Sequence, residues 1–347
     1  MTRLIQNNGR GNIMGETLLQ VTNLTTRFHS RGNLIHAVNG VSFKIDKGET
    51  LGVVGESGCG KSVTMLSMLH LLPPAARVVA GTAFFHDKDL LKLNSREMQR
   101  IRGNHIGMIF QDPMTSFNPV LTIGDQVGES LIYHNISNRA GAEKRVIELF
   151  RMVGIPDPEA RLKDYPHQFS GGMRQRAMIA MALACEPELV IADEPTTALD
   201  VTIQAQIVEV VKDLRDRLGI AIIWITHDLS LVAGLADRIM VMYAGNVIEE
   251  ATTEDLFDQP THPYTIGLLA ALPAFQASKN SKRLSSIPGS PPDLRAEPTS
   301  CPFLPRCSYA INRCAIEMPL AHEIPGNGST PHSVACFVNT QERITVQ

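Results

Sequence analysis

One octapeptide narrows the fold more than anything else in the chain: Gly55-Glu56-Ser57-Gly58-Cys59-Gly60-Lys61-Ser62. It follows the apolar run LGVV at 51–54 and opens a helical pattern over 61–72 that stops at Pro73–Pro74. Glycines in such a turn let backbone N–H groups approach phosphate oxygens, and the helix N-terminus adds a favourable dipole. The octapeptide is a full match to the P-loop pattern, in the strand–loop–helix setting that gives the pattern its meaning. Lys61 would supply positive charge to the β- and γ-phosphates, and the Ser62 hydroxyl would ligate Mg²⁺. The expected nucleotide contacts are therefore the eight residues from Gly55 to Ser62, with Val63 following in the helix. Cys59 reads as a small loop residue and not as a catalytic thiol. The bland alternative is a glycine-rich turn with an incidental lysine, and the flanking pattern weighs against it.

Short apolar runs recur along the rest of the chain, at 106–110, 188–193, 220–226 and 238–245. Several are rich in Val and Ile and bounded by turn residues, as strands buried on both faces should be. Helical patterns alternate with them; one places Ile203, Ile207, Val210, Leu214 and Leu218 on one face and ends at Gly219. Strand–helix alternation of this kind predicts an α/β fold with a mostly parallel sheet. Runs at 18–21 and 37–45 predict antiparallel strands joined through a Gly32–Asn33 turn. Residues 95–178 read as an inserted helical subdomain. Residues 1–16 read as a disordered extension, and the stretch after about 255 becomes Pro- and Ser-rich, a linker into a small cysteine-bearing tail. With 44% hydrophobic and 19% charged residues and a net charge of -3, nothing marks a general nucleic-acid or anionic-membrane binder. No apolar run approaches the ~20 residues that span a bilayer, and no N-terminal block has signal-peptide length. The expectation is a protein that is cytosolic on its own and able to dock onto a membrane partner.

Leu189-Val-Ile-Ala-Asp193-Glu194 puts two carboxylates at the end of an apolar strand, the edge where ligands sit in α/β folds. Asp193 would hold Mg²⁺ and Glu194 would act as general base toward the attacking water. The competing reading is that the pair merely caps the turn before Pro195. Ser170-Gly171-Gly172-Met173-Arg174-Gln175, upstream of that strand, resembles the signature motif of ABC ATPases. Gln111 resembles the Q-loop glutamine that senses Mg²⁺ and water, Ala198-Leu199-Asp200 the D-loop, and His227 the switch histidine that contacts the γ-phosphate. By itself a histidine at a strand end is more often structural. Phe28 is the candidate for stacking on adenine, with a buried core phenylalanine as its alternative. The signature departs from the usual pattern at Phe169 and Met173, while the serine and both glycines remain. The resemblance implies an ABC-type nucleotide-binding domain with an antiparallel β subdomain, a helical subdomain and a C-terminal tail. It also implies two half-sites per chain, each completed by another subunit's signature.

Together with His262-Pro-Tyr-Thr265, Ile287-Pro-Gly289 and the tail cysteines, the DEPTTALDVTIQAQ block resembles the ATPase subunits of bacterial dipeptide/oligopeptide importers. That resemblance runs over about 17–337. It divides the chain into an ATPase domain at 17–260 and an extension at 261–340. Cys301, Cys307, Cys314 and Cys336 would hold a [4Fe–4S] cluster, with Zn²⁺, free thiols or disulfides as alternatives. The implied assembly is peripheral, on the cytoplasmic face of the inner membrane. Its other parts are a second ABC ATPase, homologous ahead of identical, two transmembrane permease subunits and an extracytoplasmic peptide-binding protein; nucleic acid has no place in it. The permease contact falls on the segment after Gln111, including 112–119, which could otherwise simply cap the insert. Nickel or glutathione import is the alternative cargo. A soluble ABC ATPase acting on DNA or ribosomes is the alternative class, and the absence of heptad runs, of a second cassette and of a basic linker counts against it. A non-hydrolysing regulator is opposed by Glu194 and His227.

Overall fold

The computed structural model describes residues 15–30, 32–197, 199–272, 286–326 and 331–340. Nearly all of the expected N-terminal extension, Ala198 of the D-loop motif and the 273–285 part of the linker lie outside the described residues. Strands β1 (Thr17–Ser30) and β2 (Asn33–Asp46) pair antiparallel around Gly32, whose φ is 83°. β3 (Thr50–Val54) leads through the glycine loop into α1 (Lys61–Met68), followed by β4 (Ala76–Phe85) and β5 (Lys88–Asp89). Next come α2 (Ser95–Ile101), β6 (Ile106–Ile109), α3 (Pro113–Ser116), α4 (Ile123–Tyr133), α5 (Arg139–Met152), α6 (Pro158–Arg161) and α7 (Gly171–Ala182). β7 (Leu189–Asp193), α8 (Val201–Leu218), β8 (Ala221–Thr226), α9 (Leu229–Ala233) and β9 (Arg238–Tyr243) complete the α/β alternation. β10 (Asn246–Thr252), α10 (Thr253–Asp258) and α11 (Pro263–Ala270) lead toward the tail, where β11 (His322–Ile324) and β12 (His332–Val334) form.

The eight-stranded sheet has the order β11-β12-β10-β9-β3-β8-β7-β6, parallel from β9 to β6 and antiparallel beyond β9. Of the five parallel strands, four are buried along their whole length: β3, β7, β8 and β9. Their side chains alternate between two cores. Val190, Ala192, Ile222, Trp224, Ile239 and Val241 face the helical segment and α8, while Leu51, Val53, Ile191, Ile223, Ile225 and Met240 face α1 and the antiparallel sheet. Each such Val, Ile or Leu is worth roughly 1.5–3 kcal/mol of apolar burial. The sheet is thus clamped from both sides, and its C-terminal edge, where β3 and β7 end, is held rigid.

Two sequence expectations change. β1 is 14 residues long and not a short run at 18–21, because register shifts between Val21 and Leu24 and again up to Thr26 break the alternation that would reveal it. α1 ends at Met68 and not at Leu72. There His70 takes the left-handed conformation (φ 52°), Leu71 N–H donates to Leu66 O at 3.0 Å, and the chain leaves in a Schellman turn before the prolines. Among the described residues, no helix is long and apolar enough to cross a membrane.

Candidate active site

The P-loop sits where β3 meets α1, and two of its glycines are required by close approach. A Cβ on Gly60, which has φ 101°, would stand 2.5 Å from Ala37 O, and one on Gly55 would stand 2.2 Å from Met242 O. The loop is pinned between the two sheets, with Gly245 N–H donating to Cys59 O at 2.9 Å. Lys61 is almost fully buried, and its ammonium donates to the carbonyls of Gly55 (2.7 Å) and Glu56 (3.0 Å). It curls back over the loop, in the place a phosphate donor group should occupy. Cys59 is buried, and burial pushes its thiol up, which suits the reading of an inert loop residue.

Asp193 ends β7 directly opposite this loop. Its carboxylate accepts a 2.6 Å hydrogen bond from the Ser62 hydroxyl. Burial pushes Asp193 above the usual carboxylate range and the neighbouring Glu194 adds to the effect, while Ser62 and Lys61 oppose it. A carboxylate held at such cost beside a hydroxyl, with the Gln111 amide on the adjacent Glu194, offers hard oxygen donors that fit Mg²⁺.

Glu194 is the hub. One of its oxygens lies 3.9 Å from the Lys61 ammonium. The other accepts from Gln111 Nε2 (3.3 Å) and from the Thr197 hydroxyl (2.9 Å), and lies 3.3 Å from His227 Nδ1. Glu194 also has φ 45°, a left-handed backbone that costs a non-glycine residue on the order of 1 kcal/mol or more. The bend turns the chain off the sheet edge and aims the carboxylate back across the loop. A carboxylate with these neighbours is placed to accept a proton. Thr197 lies inside the DEPTTALDVTIQAQ block but carries no role in the motifs. A hydroxyl three residues after an acid, across a proline, is a turn partner that could have been noticed.

Six predicted residues therefore come together: Lys61, Ser62, Gln111, Asp193, Glu194 and His227. Ser170, Gly171, Gly172 and Asp200 do not join them by any hydrogen bond or ion pair among the described residues. They mark the starts of α7 and α8, where the Ser170 hydroxyl accepts from Met173 N–H at 3.2 Å and Asp200 from Ile203 N–H at 3.0 Å. Phe28 lies half-buried on the antiparallel sheet, its backbone opposite Ile35 and Ala76.

The tail cysteines stand differently. Cys301, Cys307, Cys314 and Cys336 are free thiols, and among the described residues no group of three or more His, Cys, Asp or Glu side chains could hold a metal ion. Cys301 and Cys307 pack against the apolar core and Cys314 is buried. Burial, reinforced by the neighbouring tail cysteines, pushes the thiols of Cys301, Cys307 and Cys336 up, the last to about 11. They behave as small protonated hydrophobes.

Comparison with known proteins agrees with this geometry. The profile of the family described as ABC transporter matches residues 38–197, and that of the oligopeptide/dipeptide transporter C-terminal region matches residues 248–314. A probable peptide ABC transporter ATP-binding protein of Sinorhizobium fredii is 51% identical over 94% of this chain and 97% of its own length. The dipeptide transport ATP-binding protein DppD of Bacillus subtilis is 51% identical over 94% and 96%. Among solved structures, the dimeric ATP-binding cassette MJ0796, in a post-hydrolysis state with ADP and Pi, superposes with a TM-score of 0.61. It is 28% identical and covers 68% of this chain and 98% of that one. This chain belongs to the ATP-binding proteins of ABC transporters, within the branch that carries the oligopeptide/dipeptide-transporter C-terminal region.

Proposed function

We propose that this chain binds and hydrolyses MgATP to drive a membrane importer of dipeptides or oligopeptides. The observation that carries the reading is the convergence of Lys61, Gln111 and His227 on Glu194, beside the Asp193–Ser62 pair. Lys61 would turn from the loop carbonyls to the phosphates, which the loop amides and the α1 dipole also hold. Ser62, Asp193 and Gln111 would hold Mg²⁺, which neutralises phosphate charge. Glu194 would accept the proton of the attacking water, oriented by Gln111 and Thr197, while His227 contacts the γ-phosphate. Ser170, Gly171, Gly172 and Asp200 stand apart from the loop, so their donors would serve the nucleotide of a second ATPase, homologous ahead of identical. Residues 17–260 form the ATPase unit in this reading and 261–340 the extension.

The two permease subunits would contact the helical insert after Gln111, including 112–119. This face is apolar and open: Met114 is 63% exposed and Val120 74% exposed. The chain would then sit peripherally on the cytoplasmic face of the membrane, with a peptide-binding protein on the other side selecting cargo. The peptide assignment is supported by relatives whose own names specify peptide or dipeptide transport. The four tail cysteines, which lie near one another, would hold a [4Fe–4S] cluster, ahead of Zn²⁺. Iron, sulfide and zinc analysis of purified protein decides that point. For the main reading, cells lacking this chain should lose uptake of labelled dipeptides and regain it with the wild-type gene, but not with Glu194→Gln. Unchanged uptake in the deletion would remove the peptide assignment.

A further inference from the structure

Two sequence landmarks that the nucleotide site leaves unused, His262-Pro-Tyr-Thr265 and Ile287-Pro-Gly289, meet at the P-loop together with the cysteine tail. The Glu56 N–H donates to the Tyr264 hydroxyl at 2.9 Å. The Glu56 carboxylate is gripped by the guanidinium of Arg306, which donates to one oxygen at 2.8 Å and to the other at 3.0 Å. Arg306 also donates to Pro288 O (2.8 Å), Ile287 O (3.5 Å) and the Tyr243 hydroxyl (3.3 Å), so its donors are satisfied from several sides. Its side chain is 5% exposed, against 26% for Glu56.

The approach is built and not incidental. Gly289 has φ 76°, and a Cβ there would press on the Arg306 stem at 3.3 Å. A Cβ on Gly267 in α11 would stand 2.9 Å from Ile287. Phe303, three residues before Arg306, packs edge-on against Tyr243 (5.2 Å between ring centroids) and Tyr264 (5.4 Å). An aromatic floor thus holds the segment that delivers the arginine.

The loop needs this. An acidic side chain inside a phosphate-binding turn opposes a polyanion by simple repulsion, and the effect is strong in a partly desolvated site. A fork-shaped guanidinium satisfies both oxygens and removes the charge. We propose that Arg306 is a positioning residue for nucleotide binding. It fixes and neutralises Glu56, so that the loop presents backbone amides and Lys61 to the triphosphate. The C-terminal tail thereby becomes part of the nucleotide site without touching nucleotide. The inference deepens the MgATP reading of the loop and rests on it.

The test uses the full-length chain, titrated with a fluorescent ATP analogue and Mg²⁺, and the assembled transporter for steady-state turnover. Arg306→Ala should weaken binding and raise KM for ATP about tenfold, while kcat stays within about twofold. Arg306→Lys should recover part of the loss, since it restores charge without the fork. Adding Glu56→Gln to Arg306→Ala should bring affinity back to within about threefold of wild type, because no carboxylate then needs a partner. Should Arg306→Ala fail to accumulate as folded protein, Arg306→Lys with and without Glu56→Gln carries the same comparison. Unchanged affinity in the arginine variants overturns the proposal, as does a fall in kcat at constant KM. A double variant no better than the single one also overturns it, since the defect would then lie in tail folding. Wild-type protein that does not bind the analogue would overturn the MgATP reading itself, a result distinct from all of these.

Discussion

The nucleotide loop and the cysteine tail were both marked in the sequence by residue type and spacing, yet the structure treats them differently. Around the loop, six expected side chains stand within hydrogen-bond or ion-pair reach of one another. In the tail, Cys301, Cys307 and Cys314 stand close enough to raise the Cys336 thiol, yet no metal-holding group of three or more His, Cys, Asp or Glu side chains occurs among the described residues. The difference lies in what carries them. Lys61 and Ser62 start a helix, and Asp193 ends a strand buried on both faces, so regular structure fixes their directions before any ligand arrives. The tail cysteines sit on short 3-10 turns and irregular chain, where side-chain direction follows local packing. Preorganisation is a property of the scaffold under a motif and not of the motif.

The hardest blow to this contrast would come from Glu194. Glu194→Gln should lower steady-state phosphate release by about 10²–10⁴-fold, while a fluorescent nucleotide still binds. Turnover close to wild type would show that the hub is geometry without chemistry.

His262 lies between the two regions and tests the junction. It is buried, and burial depresses its imidazole from the ordinary histidine value to about 4, with Glu249 opposing the shift. Its Nδ1 accepts from Tyr264 N–H at 3.0 Å as the cap of α11, which only the neutral ring can do. Between the folded value near 4 and an unfolded value near 6.5, the unfolded chain binds the extra proton. Stability should therefore rise with pH across that window. It should be lost as pH falls through it, by up to about 3 kcal/mol at the acid end. Chemical unfolding at stepped pH checks this, and a His262→Asn variant should flatten the slope.

Thr197→Ala sharpens the active-site half. Losing one hydroxyl donor to Glu194 should slow turnover about fivefold, or ~1 kcal/mol, with KM for ATP little changed. The smallest effect belongs to the tail. In chelator-treated protein, Cys336→Ser should change unfolding free energy by less than about 1 kcal/mol, as for a half-buried thiol outside any ligand set. A much larger loss in untreated protein, abolished by chelation, would show that the tail does converge on a bound group.

Much of the architecture was readable beforehand. Strands buried on both faces announce themselves as Val/Ile runs, and α8 ends where Gly219 takes φ 66°. The tail strands β11 and β12 were not readable. Each is three residues, His-Glu-Ile and His-Ser-Val, and they form only because β10 offers an edge to pair with. Glu249 illustrates the same limit. It is fully buried, accepts from the backbone of Thr261 and His262, and meets His332 at 2.8 Å, a network no local pattern announces. At the active site the motifs supplied most of the residues, while Thr197 entered through the turn after Glu194 and Arg306 through tertiary proximity alone.

The grip of Arg306 on Glu56 spans 250 residues of chain. A ribosome adding about 5–20 residues per second needs on the order of 10–50 s to cover that distance. The glycine loop is made well before the segment that carries Arg306, so its carboxylate waits for that segment to emerge. A nascent cassette truncated before residue 306 would carry every nucleotide motif and still leave that carboxylate bare.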